Sequence, residues 1–213
     1  RVSFGAGMAP LYTVLALWVG ALLTSVAVRT DDRSIEQNVV DPGNLTAGQK
    51  YFGRYLTFVA TGLAQSTLLM AGLIVYVGIE PAHPFLLFMA GWVSSLVFHL
   101  ICYTLVLSLS NAGKAVGVLI LVLQVSAAGG AYPLQLLPGW AQAISPWLPA
   151  TYSIRAMRAA VFGTYGWDFW RALGSLVLFV LPFLFLGLWL RHRLHHAIGR
   201  MDEAVAQTKV MMT

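Results

Sequence analysis

Residues 114–163 read KAVGVLILVLQVSAAGGAYPLQLLPGWAQAISPWLPATYSIRAMRAAVFG, and where this stretch can sit decides the fold. It begins as a continuous apolar run from Ala115 to Ala128, interrupted by Gln124 and Ser126, and stops at Gly129-Gly130. Such a run crosses a membrane, here with a broken end. Beyond it, Pro133, Pro138, Pro146 and Pro149 cut the chain into pieces too short to cross, because proline lacks the N–H that continues a helix. Leu136, Leu137, Trp140, Ile144, Trp147 and Leu148 nevertheless keep those pieces apolar. A segment that is neither spanning helix nor watery loop belongs at the membrane surface or folded partly back into it.

The whole chain fits that setting. Its 213 residues are 58% hydrophobic and 10% charged, where soluble domains carry about 25% charged residues. A spanning helix needs about 20 mostly apolar residues, and five runs qualify, at about 8–28, 55–79, 85–109, 115–131 and 173–190. The prediction is one all-α integral membrane domain over 1–213 with five transmembrane helices. A β-barrel is excluded, since the apolar residues come in unbroken runs and not in period-2 alternation. In the last run twelve residues from 175 to 190 are Leu, Phe or Val, worth roughly −4 to −7 kcal/mol of insertion before Pro182 and Gly187 are counted.

Residues 1–10 read as a lead-in loop, with Pro10 in the first helical turn. Gly20 and Thr24 then offer a small face for close helix contact, as do Gly113 and Gly117 at the fourth run. The 29–54 connection holds Arg29, Asp31, Asp32, Arg33, Glu36, Asp41, Lys50 and Arg54 and is polar. Its second half suits a short helix from Thr46 as N-cap to Arg54, either a plain helical extension or a surface that docks a partner. The link at 80–84 is so short that the helices on either side are antiparallel neighbours. Pro149 and Thr151 start an amphipathic interfacial helix with Ile154, Met157 and Val161 on one side and Arg155 and Arg158 on the other, their guanidinium groups at head-group depth. Gly163 ends it. Trp140, Trp147, Trp167 and Trp170 place four of the seven tryptophans in one connection, as an interface anchor or, alternatively, a lipid contact.

Gln65, His99 and Gln124 lie deep in the apolar runs, where polar groups are expensive. A cavity-facing role is one reading of them. None of the spans contains Asp or Glu, which argues against a proton relay at His99 and for a neutral packing histidine. Cys102 is alone, so there is no disulfide framework. His192, His195 and His196 stand beside Arg191 and Arg193 at a helix end, a pattern that suits anionic lipid better than a metal. The chain begins at Arg1 without a signal-peptide pattern, so an N-terminal part is expected to precede it.

Sorting the connections by Lys and Arg gives orientation. One set holds Arg29, Arg33, Lys50, Arg54, Lys114, Arg191, Arg193, Arg200 and Lys209; the other holds Arg1, Arg155, Arg158 and Arg171. The first set is therefore expected in the cytoplasm, with the 29–54 loop and the 191–213 tail. The tryptophan-rich 133–163 segment faces outward.

FGAGMAPLYTVLALWVGAL (4–22), KYFGRYLTF (50–58) and the long stretch LVLQVSAAGGAYPLQLLPGWAQAISPWLPATYSIRAMR (121–158) resemble the C-terminal membrane region of the YhgE/Pip family, and the helix order resembles type-2 ATP-binding-cassette exporter permeases. The resemblance implies a bacterial plasma-membrane protein. It implies six helices in the intact protein, the first of them and a large extracellular domain lying before Arg1, and a homodimer around a translocation path. By position, Leu45, Thr46, Lys50, Tyr51, Phe52 and Arg54 correspond to a coupling element that meets a separate ATPase subunit. Pro133, Pro138, Trp140, Pro146, Trp147, Pro149, Arg155 and Arg158 correspond to an external gate or interface.

The chain carries no Walker-type glycine loop, no HExxH and no GxSxG. It is read as neither motor nor enzyme, with no cofactor, metal or nucleic acid expected and the lipid bilayer as its medium. Two functions remain: an exporter permease for an amphipathic or lipidic substrate, and the membrane anchor of a cell-surface receptor, phage infection protein-like, or of an envelope or secretion assembly factor.

Overall fold

The computed structural model describes residues 4–27, 47–109 and 111–187. Leu45, Thr46 and the 191–213 tail with its histidines lie outside them. The described residues form seven α-helices and two short 3-10 turns, with no strand: α1 Phe4–Ala27, α2 Ala47–Val75, α3 Pro84–Leu109, α4 Asn111–Ala127, α5 Gly139–Ile144, α6 Pro149–Phe162 and α7 Asp168–Leu178.

By length and composition, four helical stretches are able to cross a bilayer: Gly7–Ala27, Tyr55–Val75, Pro84–Leu109 and Asp168–Gly187. The fifth, in α4, is shorter. Its 17 residues reach about 25 Å at about 1.5 Å each, the low end of what spans.

Several boundaries differ from the sequence reading for identifiable reasons. α1 begins at Phe4, so Pro10 is inside a helix and not in its first turn; the missing Pro10 N–H costs one bond near the frayed end, where it matters least. α2 absorbs the expected short helix into one continuous rod, because nothing between Ala47 and Tyr55 breaks it: Gly53 is isolated and no proline occurs. α4 ends at Ala127 and not at 131. Gly129 adopts φ +68°, the left-handed conformation that closes helices and that side chains disfavour. α7 starts five residues before the expected 173, with Asp168 in its first turn, where a carboxylate complements the helix dipole. It is interrupted at Phe179 and resumes over 180–187; Pro182 has no N–H for the Leu178 carbonyl.

α3 is the axis of the bundle, packing against α1, α2, α4, α6 and α7. It is apolar on every side, as a helix surrounded by others must be. Because lipid tails are as apolar as leucine, such a bundle is held by close packing and interhelical hydrogen bonds more than by hydrophobic exclusion. The core shows both. Trp18 is fully buried, its ring edge-on to Phe98 at 5.1 Å, and its Nε1 donates to the Gly117 carbonyl at 3.1 Å. Gly117 is therefore the point where α1 and α4 meet. Gln65 Nε2 on α2 donates to the Ala16 carbonyl at 2.9 Å, lying over Gly20, where any Cβ would collide with it. The small faces anticipated at Gly20 and Gly117 are packing surfaces.

Candidate functional site

Of the polar residues singled out within the spans, His99 and Gln124 are buried and Gln65 is half-buried. His99 Nδ1 donates to the Ser95 carbonyl one turn back at 2.8 Å, while Ser95 Oγ donates to the Gly62 carbonyl of α2 at 2.8 Å. The carbonyl partner makes Nδ1 the protonated nitrogen, and Nε2 has no hydrogen-bond partner among the described residues. Gln124 is fully buried, and neither its Nε2 nor its Oε1 is bonded within those residues. Ser94 on α3 and Ser153 on α6 share a short hydroxyl–hydroxyl contact. Sequence reading missed this pair, because a serine inside an apolar run gives no sign of its partner.

The broken segment folds back against the bundle. After Gly129-Gly130 it makes a 3-10 turn at Leu134–Leu136, the short α5, a second 3-10 turn at Ser145–Trp147, and then α6. Pro133, Pro138 and Pro146 are exposed, as are Trp140 and Trp147, whereas Pro149 is buried at the start of α6. Thr151 Oγ1 donates to the Ser145 carbonyl at 2.8 Å and ties the second turn to the helix. Both residues are buried, while Tyr132 and Leu136 are exposed along with the proline and tryptophan edges.

The two α6 arginines, expected to share one location, divide. Arg155 is exposed, with its guanidinium 5.8 Å from the Tyr152 ring centroid. Arg158 turns inward and donates from Nη1 to the Gly129 carbonyl at 3.1 Å and from Nη2 to the Gly130 carbonyl. It satisfies two carbonyls of the turn that follows α4, close to the negative end of that helix's dipole. Desolvation lowers the pKa of this guanidinium from its ordinary value, yet an arginine remains protonated in proteins. On the far side, the 80–84 link is bound to the same helix: the Ala82 and His83 N–H groups donate to the Val161 and Ala160 carbonyls, each at 3.0 Å. The link, α6 and the end of α4 thus form one joined surface.

Between α6 and α7 this surface opens into a cleft of about 500 Å³, lined by Tyr152, Arg155, Arg158, Tyr165, Asp168 and Arg171 among others. The 155/158 spacing was visible as an i, i+3 pair on one helix. That the two helices face one another was not, since it depends on the chain reversal after Gly163. Of the positions matched to a coupling element, Lys50, Tyr51, Phe52 and Arg54 fall in the first turns of α2.

Comparison with known proteins agrees with this architecture. Residues 1–189 match the family described as ABC-2 family transporter protein. Over 177 residues, or 82% of the chain, it is 30% identical to the Bacillus subtilis (strain 168) protein named "Uncharacterized protein YhgE". The match covers 22% of that relative, so the chain spans about a fifth of its length. A helical membrane bundle with a broken, folded-back segment before its last span, matched by that family model over nearly its whole length, belongs to the ABC-2 family of transporter proteins.

Proposed function

We propose that the chain is the permease-like membrane part of a type-2 exporter system, moving an amphipathic or lipidic substrate across or out of a bacterial plasma membrane. The observation that carries this is the division of the bundle into two differently built ends. At one, the link, α6 and the α4 terminus are knit together by hydrogen bonds into a lid. At the other, α2 continues over Ala47–Arg54 beyond the part long enough to cross the membrane. An extended helix beneath a lidded bundle suits a transmission element pushed by a separate ATPase. The lidded end faces outward in this reading, supported by the nine-to-four division of Lys and Arg. Two copies enclose the path, in keeping with exposed apolar stripes on α1 (Tyr12, Val19, Leu23, Val26) and α4 (Val118, Leu119, Val122, Val125).

The test is purification from the native membrane. A co-purifying ATPase, lost when Lys50 and Arg54 are both changed to Glu, supports the permease. A complex without any ATPase, together with full activity after deletion of residues 45–54, overturns it. A second reading, the anchor of a surface receptor or envelope assembly factor, is favoured by one fact: the YhgE relative is mostly made of sequence that this chain does not match. Under that reading, deleting 45–54 is harmless.

A further inference from the structure

We propose that the cleft between α6 and α7 binds the anionic head group, phosphate or carboxylate, of an amphiphile whose tail lies along α7. This rests on the chain being membrane-embedded and deepens the permease reading by naming a substrate class.

The cleft is set apart by its charge. Arg155 and Arg158 stand one helical turn apart on α6, and Arg171 faces them from α7. Like charges at that spacing are mutually unfavourable, so three guanidinium groups around one cleft need neutralising. Asp168 is the single carboxylate lining it, and among the described residues no ion pair joins it to any of the three. The lining therefore carries a net +2, three cations less one anion. The arginines have separate tasks. Arg158 spends both terminal nitrogens on the Gly129 and Gly130 carbonyls and contributes its field. Arg155 and Arg171 are exposed and supply donors in the planar fork that matches carboxylate or phosphate oxygens.

The walls favour an amphiphile over a free ion. Tyr152, Phe162, Tyr165 and Ala172 are among the rest of the lining, and Trp167 and Trp170 stand exposed beside it, the residue type that marks the membrane–water boundary. Leu178, seven residues and two turns after Arg171, is 62% exposed, and Leu181 follows at 63%. A head group held by Arg155 and Arg171 would leave its tail on that stripe.

The experiment uses the purified full chain in uncharged detergent, titrated with a fluorescent phosphatidylglycerol and, in parallel, a phosphatidylcholine carrying the same fluorophore. Phosphatidylglycerol is expected to bind more tightly. The Arg155→Gln/Arg171→Gln variant should weaken it by about tenfold or more, leaving phosphatidylcholine unchanged, while Asp168→Asn should tighten it about threefold. Because the first change alters exposed side chains and the second acts in the opposite sense, misfolding cannot imitate the pattern. Lys114→Gln removes a cation that does not line the cleft and should have no effect. Equal loss in that control, or undiminished binding by the double-arginine variant, overturns the proposal. Inorganic phosphate competing as well as the lipid does, at equal concentration, makes this a soluble-anion site and overturns the amphiphile. Retained lipid binding with no ATPase partner would sink the permease reading alone.

Discussion

Two kinds of residue hold this bundle, and substitution should separate them. Gly62 is the first kind: a Cβ there would lie 2.9 Å from both His99 Nδ1 and Ser95 Oγ, atoms already committed to the Ser95 and Gly62 carbonyls. Neither yields freely. Gly62→Ala is expected to destabilise by about 1–3 kcal/mol, the range for overpacking, read as a lower midpoint of denaturation in detergent. Gly174 in α7 meets nothing within 4 Å, so Gly174→Ala should stabilise by up to about 1 kcal/mol through helix propensity. If both shift the midpoint the same way, the packing account of Gly62 fails. Arg158 is the second kind, a cation holding two backbone carbonyls. Arg158→Gln should cost about 1.5–3 kcal/mol, and Arg158→Lys less, since an ammonium keeps the charge but not the fork. Equal losses in Gln and Lys would show that the fork, and not the charge, carries the joint.

Among the elements, the least expected contact is between the 80–84 link and the end of α6. The last carbonyls of a helix need partners, and here the link supplies two backbone donors. Ala82→Pro removes one of them while leaving the link as short as before. Amide exchange is expected to quicken in residues 159–163 and to stay unchanged in α3; slow exchange there would mean the clamp is dispensable. Such pairings explain what could be read beforehand. The spans were legible because an apolar run long enough to cross has few alternatives in lipid, and the start of α6 was announced by Pro149. The early end of α4 was harder to place, because Gly129 and Gly130 both permit a left-handed turn and packing selects Gly129. Arg158 was read as a head-group residue since its pattern is that of an amphipathic helix; its real partners depend on which carbonyls the turn at Gly129 leaves open. The cleft was illegible for the same reason, being made where helices separated by a reversal come to face one another.

At the scale of the molecule, the hydrogen-bonded joints require one thing irrespective of orientation. His83 in the link, Trp147 in the elbow and Tyr165 before α7 belong to a single surface, because α6 is bound at its end to the link and, through Arg158, to α4. Ala112, in the first turn of α4, lies at the other end of that span. All four are exposed, and Cys102 is buried, so a membrane-impermeant maleimide has little native background. In intact cells, His83→Cys, Trp147→Cys and Tyr165→Cys should label together, and Ala112→Cys only after the membrane is opened. The proposed orientation sets that sign: it puts four cations outside and nine inside, with each cytoplasmic cation opposing translocation of its loop. The two ways of failing carry different meanings. Complete inversion would leave the bundle intact and move the arginine cleft to the cytoplasmic face, turning an exit site into a site of loading. Labelling of His83→Cys without Trp147→Cys would break the joined surface itself, and with it the lid from which a gated path was argued.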